Sequence, residues 1–517
     1  MTTLLAYHSG STGRSSTTDT FTDLLPIGLC SLHAVLRANG HQVRLANLSG
    51  WGPAQLRSLF EQCRPRLAGL SQWTHNRQIT LELARLIKEV MPACQVVLGG
   101  AHATHQADEI LTEHPEVDLI VAGEGEETLL ELLQAMQDHA SLREVPGLVL
   151  REDNRIIRTD PRPRITELDR LPYPCSYLHE AIGVDLDLQP QFISTARGCP
   201  SACHFCASPR FWGRTVRTRS PASVVAEFLF QRQQFGTIYL SLRDDTFTAD
   251  RRRTLELCRL LIEQRANIFW NCQTRVETVD DEVLTWMKRA GCECVQLGVE
   301  SGSLRILREL GKRITPEQVI QACDAVHRVG LQLSVFLIAG IPGETNEDRQ
   351  ATRTLLQRIR PHDLQVAPLA YYPGTALFNA AVQHGIVPAQ LFASNGEEAL
   401  LARPDGTRQV KQLLRGATGL APELDRRTIA AVQQRIGYCA VSSMQAGDHA
   451  LQRGATQQAE AAYREITANE PDHPWGWLLL AELYTQTGRP KQAVSCYKRL
   501  LELVPRHCQA LQALETA

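Results

Sequence analysis

The chain has 517 residues, too many for one ordinary domain, and its hydrophobic share of 43% can fill several cores. Lys and Arg (54) nearly balance Asp and Glu (56), so the formal charge of −2 argues against a general nucleic-acid or anionic-membrane binder. No charged and apolar leader opens the sequence and no apolar run reaches about 18 residues, so a cytoplasmic protein without a secretory signal or membrane span is expected. Fifteen cysteines without an export signal then read as thiols and metal ligands rather than a disulfide framework. Cys30, Cys63, Cys258 and Cys323 sit singly among apolar residues and read as small core residues.

Residues 1–140 alternate short apolar runs with helical spacing. Leu32, Leu36 and then Val43 with Leu45 predict a helix and a strand. Leu67–Leu70, Val96–Leu98 and Leu119–Val121 predict further strands, with helices over Leu81–Val90 and Leu129–Met136. This alternation predicts a doubly wound, Rossmann-like parallel sheet. Three strands end in small or polar residues: Ser71, Gly99-Gly100-Ala101-His102 and Gly123-Glu124-Gly125-Glu126. Such ends are either tight turns or the edge where open parallel sheets hold ligands.

Residues 141–185 read as a connector, with Val149 and Leu150 pairing with Ile156 and Ile157 before four prolines. Residues 186–380 return to strand–helix alternation. Phe192–Ser194, Ile238–Leu240, Phe269–Cys272, Val295–Leu297, Leu333–Ile338 and Leu364–Ala367 predict an incomplete (β/α)6 barrel of the TIM type, with its chemistry at the carboxyl ends of the strands. Residues 381–440 read as a helical extension. In residues 441–517, Gly454, Ala459, Tyr463 and Pro471 recur as Gly488, Ala493, Tyr497 and Pro505. Each is displaced by the tetratricopeptide period of 34 residues, which predicts helical repeats. Trp475, Trp477 and Tyr484 serve either a peptide or carrier-protein surface or ordinary helix packing.

The segment Arg197-Gly198-Cys199-Pro200-Ser201-Ala202-Cys203-His204-Phe205-Cys206 follows the first predicted barrel strand directly. Its C-x3-C-x2-C spacing places three thiolates where they can hold three irons of a cubane and leave the fourth open. Zinc is the alternative, but a structural zinc wants four closed ligands, and His204 lies awkwardly between two cysteines. Arg210, Arg214, Arg217 and Arg219 follow, either as a solvated loop face or as a local basic patch.

This motif, including Phe205 just before the third cysteine, resembles that of the radical S-adenosylmethionine (SAM) superfamily. The resemblance runs over residues 190–380. It implies a [4Fe–4S] cluster on Cys199, Cys203 and Cys206, and reductive cleavage of SAM to a 5′-deoxyadenosyl radical. It also places SAM against Asp244 and Asp245, Glu300 and Ser301, and Gly340 with Pro342. The alternative for the aspartate pair is a turn leading to a helix cap at Asp250. Residues 1–140 resemble the cobalamin-binding domain that precedes many radical SAM domains, on Ser71, Gly99, Gly100, His102, Gly123 and Gly125. No Asp-x-His-x-x-Gly stretch supplies a histidine to cobalt; His102 and His75 lie nearby, with a satisfied loop histidine as the alternative.

The resemblance implies a cobalamin-dependent methyltransferase acting on an unactivated carbon, with Arg275 and Tyr371 as candidate pocket residues. It implies an electron donor such as flavodoxin or ferredoxin, and leaves the small-molecule or peptide substrate open. The same scaffold also supports non-methylating cyclisation or rearrangement, and the repeats alternatively make the chain a partner-binding scaffold.

Overall fold

The computed structural model describes residues 2–10, 22–153, 155–393, 396, 398–417, 419–420 and 426–516. They form two compact units, each assembled from separate stretches of chain. The first comprises Met1–Gln189, Gly198–Arg217 and Ala370–Leu401; the second comprises Pro190–Arg197, Thr218–Leu369 and Ala402–Ala517.

The first unit is built on a seven-stranded sheet. Strands β1 (Thr3–Tyr7), β2 (Val43–Asn47), β3 (Leu67–Ser71), β4 (Gln95–Gly99), β5 (Leu119–Val121), β6 (Leu148–Glu152) and β7 (Arg155–Arg158) lie in the order β2-β1-β3-β4-β5-β6-β7. β1 to β5 pair in parallel, and β1, β3 and β5 are buried along their whole length, as sheets covered by helices on both sides require. The β6–β7 hairpin pairs Leu150 with Ile157, as its apolar pattern predicts. It does not stand apart as a connector: β6 joins β5 antiparallel and extends the sheet. β1, three apolar residues between threonine and tyrosine, is too short to show a period and is legible only from its partners.

In the second unit β8 (Phe192–Ile193) is followed in the chain by the two-residue strands β9 (Ala196–Arg197) and β10 (Arg217–Thr218), which flank the cysteine loop. Then come β11 (Tyr239–Leu242), β12 (Phe269–Thr274), β13 (Cys292–Glu300), β14 (Gln332–Ala339) and β15 (Asp363–Pro368). The sheet order β15-β14-β13-β12-β11-β8 is sequential and parallel throughout, the open barrel that the strand spacing predicts. The helices between the strands start on strong caps. Asp250, Asp280, Ser303, Thr315 and Thr345 each accept a bond from a first-turn amide, worth about 1 kcal/mol apiece.

Helices over Ala440–Gln452, Thr456–Asn469, Pro474–Gln486 and Pro490–Leu503 form the repeats, and the paired residues Ala459 with Tyr463 and Ala493 with Tyr497 are buried in them. Their core is shared with the amino ends of the barrel strands. Trp475 stacks on Phe269 with ring centroids 5.0 Å apart, and its indole Nε1 donates to the Ile238 carbonyl at 2.7 Å. A Cβ on Gly236 would lie 2.3 Å from the Arg506 carbonyl oxygen, so only glycine admits this approach. Trp475 and Tyr484 are thus spent on packing and internal bonds, Tyr484 to Glu460 and Arg464.

Candidate functional site

The three glycine-rich or polar strand ends predicted as a ligand edge lie at the carboxyl ends of β3, β4 and β5 in the first unit. Gly100 has φ +101 and a Cβ there would lie 2.6 Å from the Gln72 carbonyl oxygen, so the β3 and β4 loops touch backbone to backbone. Gly123 has φ +81, a Cβ there would meet nothing within 4 Å, and Thr104 Oγ1 accepts its N–H at 3.1 Å. This half-exposed backbone edge suits a flat ligand. Gly125 instead packs, since a Cβ would lie 3.1 Å from Leu32.

His102 is buried, its Nδ1 lies 3.1 Å from Thr74 Oγ1, and its ring meets Phe392 edge-on at 5.5 Å. Burial and the nearby Arg77 push its pKa down to about 3, so it stays neutral. His75 Nε2 lies 3.1 Å from the Tyr7 hydroxyl. Both histidines are engaged by neighbouring side chains. What suits cobalamin here is the half-exposed backbone edge of Gly99, Gly100 and Gly123 beside Ser71, open at Gly123.

The cysteine loop belongs to the same unit. Cys199 is buried and its N–H donates to the Gly213 carbonyl at 3.2 Å; Cys203 and Cys206 are half-buried. Gly198 has φ +100, and a Cβ would sit 2.4 Å from the Thr215 carbonyl oxygen, so glycine is required to turn into the loop. Among the described residues no three His, Cys, Asp or Glu side chains converge in a metal-holding arrangement. What fits a cluster is the donor set: three thiols within eight residues, two of them reachable from solvent. Phe205 stands half-buried between them, and the His204 carbonyl accepts from Leu377 N–H at 2.9 Å.

Two residues of the arginine run depart from the solvated-face reading. Arg217 is buried against Glu124, with Nη1 2.9 Å and 2.8 Å from its two carboxylate oxygens. Glu124 Oε2 also accepts from Ile165 N–H at 2.8 Å. Arg219, in the second unit, is buried against Glu227. Arg210 and Arg214 remain exposed. Tyr371, in the first unit, is buried and its hydroxyl pKa is raised by that burial.

In the second unit Asp244 faces inward. Its Oδ1 accepts from the N–H of Thr195 at 2.6 Å and of Ala196 at 3.0 Å, and Oδ2 from the Thr195 hydroxyl. Its carboxylate thus pins the chain between β8 and β9, just before the cysteine motif. Asp245 beside it is exposed, and Asp250 caps the helix that follows. Arg275, at the end of β12, is buried and donates to Glu277 at 2.8 Å.

Glu300 ends β13 on a register shift with φ +70, a left-handed conformation unusual for a side-chain-bearing residue. Its Oε1 lies 3.2 Å from Lys312 Nζ, both side chains are buried, and the same ammonium donates to the Gly298 carbonyl at 2.8 Å. Strain of this kind collects at functional sites. Lys312 escaped sequence reasoning because nothing in its spacing ties it to Glu300. Ser301 accepts from Ser303 N–H at 3.1 Å, while Gly302 lets the helix Asn346–Ile359 approach, a Cβ there lying 2.6 Å from Thr352 Cα. Gly340, at φ +73, donates its N–H to Gln409 at 3.1 Å, and a Cβ would lie 2.7 Å from Gly406 Cα. Pro342 follows half-buried in the same turn.

These features define a radical SAM enzyme fused to a corrinoid-binding sheet, and the comparisons agree. The radical SAM superfamily model matches residues 193–356, the B12 binding domain model residues 17–133 and a tetratricopeptide repeat model residues 450–517. A Pyrococcus horikoshii protein described as an uncharacterized methyltransferase is 30% identical over 371 residues, covering 70% of this chain and 79% of its own. The anaerobic magnesium-protoporphyrin IX monomethyl ester cyclase of Rubrivivax gelatinosus is 29% identical, covering 63% of this chain and 60% of its own. The radical SAM methyltransferase TsrM from Kitasatospora setae, solved with tryptophan substrate and a SAM analogue, shares the fold at a TM-score of 0.64 and 17% identity. That likeness covers 88% of this chain and 99% of TsrM. The chain belongs to the family of radical SAM enzymes that carry an N-terminal cobalamin-binding domain.

Proposed function

We propose that this enzyme is a cobalamin-dependent methyltransferase that acts on an unactivated carbon. The observation that carries the reading is that the three-thiol loop and the open glycine edge of the β3–β5 sheet belong to one compact unit, joined through Arg217 and Glu124. When bound, the cluster with SAM supplies a hydrogen-abstracting 5′-deoxyadenosyl radical and cobalamin supplies the methyl group.

Cys199, Cys203 and Cys206 hold the cluster. Ser71, Gly99, Gly100 and Gly123 shape the cobalamin edge, with His102 and Gly125 behind it. Asp244 holds the approach to the cysteine loop rigid through Thr195 and Ala196. Glu300 with Lys312, the Ser301 turn, Gly340 and Pro342 form the SAM side of the barrel, and Asp245 offers a carboxylate to its ammonium. Arg275, in the second unit, and Tyr371, in the first, are each a candidate substrate-handling residue. An electron donor such as flavodoxin or ferredoxin reduces the cluster, and the repeats are an interaction surface for a protein partner. No helix among the described residues is long and apolar enough to cross a membrane.

A second reading, non-methylating radical chemistry, is favoured by the similarity to the Rubrivivax cyclase. Anaerobically reconstituted protein is incubated with SAM, a reductant, cobalamin and a small-molecule extract. A methyltransferase releases S-adenosylhomocysteine together with 5′-deoxyadenosine, whereas the second reading requires deoxyadenosine alone.

A further inference from the structure

The barrel sheet of the second unit turns one face to its helices and the other to its lumen, because successive side chains of a strand point to opposite faces. Leu240, Cys272, Val295, Leu297 and Val335 share one core with the helix residues Phe228 and Val326, and so mark the outer face. The alternate residues form rows across the inner face. Ser241 pairs with Asn271, and Asn271 with Cys294. One row nearer the carboxyl ends, Gln273 pairs with Gln296, Gln296 with Ser334 and Ser334 with Asp363. Closed (β/α)8 barrels fill this space with bulky branched side chains. Here amides, hydroxyls and a thiol line it.

The two rows differ in how far they are satisfied. In the lower one Ser241 Oγ donates to Asn271 Oδ1 at 2.9 Å, Asn271 Nδ2 to the Tyr239 hydroxyl at 2.7 Å, and that hydroxyl to Glu293 Oε1 at 2.5 Å. Tyr239 meets Trp475 of the repeats edge-on at 6.4 Å, so this network is the floor of the lumen. In the upper row Gln296 Oε1 is buried and has no hydrogen-bond partner among the described residues. Gln273 beside it is half-buried. Two residues further along β13 lies Gly298, where a Cβ would sit 2.8 Å from Glu300 Oε1 and 3.3 Å from Lys312 Nζ. The upper row therefore lies next to the Glu300–Lys312 pair. Neither row contains a lysine or arginine, and Asp363, at its exposed edge, accepts from Ser334 Oγ at 2.8 Å.

A buried amide oxygen without a donor calls for one. An apolar substrate body would leave it unpaired. A carboxylate would find no cation in either row, and an ammonium would find Glu293 and Asp363 already engaged by hydroxyls. A carboxamide carries both a donor and an acceptor and so matches a glutamine side chain. We propose that the substrate presents an uncharged carboxamide to the lumen, its N–H donated to Gln296 Oε1 and its carbonyl accepting from Gln273 Nε2. These two glutamines then determine specificity, since a site built on such bonds rejects an analogue that lacks the group. This names the substrate class of the proposed enzyme and rests on that reading only in taking the barrel lumen as the place where substrate binds.

Full-length protein, reconstituted anaerobically with iron, sulfide and cobalamin, is mixed at neutral pH with N-acetylalaninamide, N-acetylalanine or alaninamide. These probes share one skeleton and are respectively neutral, anionic and cationic. Saturation-transfer NMR measures the dissociation constant of each. The neutral diamide is expected to bind about tenfold tighter than either charged probe. Gln296→Leu replaces an unpaired buried oxygen with an apolar group, so it is expected to fold and to erase that preference. A merely structural fault would weaken all three probes alike. Gln273→Leu applies the same criterion if Gln296→Leu does not fold. No binding of the diamide, equal or tighter binding of a charged probe, or a preference that survives the substitution overturns the proposal. Probe binding needs no turnover, so its failure is separate from the outcome of the S-adenosylhomocysteine and 5′-deoxyadenosine assay.

Discussion

Arg217 and Glu124 form an ion pair whose side chains are 7% and 3% exposed, joining the end of the cysteine loop to the turn after β5. Arg217 also donates to the Ile165 carbonyl at 2.6 Å and the Trp212 carbonyl at 3.1 Å. Removing one partner strands the other charge. Glu124→Gln is expected to destabilise the protein by about 3 kcal/mol or more, and the double variant with Arg217→Met is expected to recover part of the loss. Urea unfolding of the four proteins of this cycle measures both effects.

Cys203→Ala is expected to abolish the iron–sulfur absorbance and the formation of 5′-deoxyadenosine while cobalamin stays bound, since the residue lies outside the β3–β5 edge. Retained SAM cleavage would refute the ligand assignment. The measurement pairs anaerobic spectroscopy with product chromatography.

Lys312→Met leaves Glu300 buried with no cation at a strained strand end. The expected result is weaker SAM binding by about tenfold, with a loss of stability of about 3 kcal/mol. Equilibrium dialysis with SAM and thermal unfolding separate the two.

Gly340→Ala adds a Cβ 2.7 Å from Gly406 Cα at a left-handed position. Backbone strain and overlap together are expected to cost about 2–4 kcal/mol, because neither contacting group is a flexible side chain. A lowered urea midpoint at constant m-value would establish it.

Three buried histidines and the half-buried His362 set the acid response. Burial pushes His33 and His362 down to about 4, and His102 and His473 down to about 3. Below the ordinary histidine pKa of about 6.5 the unfolded chain takes up protons that the folded chain refuses. Stability should therefore be full above that value and fall as pH drops toward 4 and then 3. His33 is the sharpest case, as neither ring nitrogen finds a hydrogen-bond partner among the described residues. His33→Leu is expected to flatten the slope of melting temperature between pH 6.5 and 4; an unchanged slope would count against the buried neutral ring.

Local chemistry is enough to read the cysteine trio, the glycine strand ends and the 34-residue repeat from the chain alone. Thiol spacing, apolar period and the conformational freedom of glycine are all encoded within a few neighbouring residues. The β5 strand at Leu119–Val121 and the Leu150–Ile157 pairing are visible for the same reason. Only the tertiary structure decided the partners across long separations. It turned Asp244 onto Thr195 and Ala196, matched Glu300 with Lys312, buried Arg217 on Glu124 and laid Trp475 on Phe269. A charge or ring carries no record in the sequence of which distant group will neutralise or cover it; that choice is made when desolvation forces each buried polar group to find a partner.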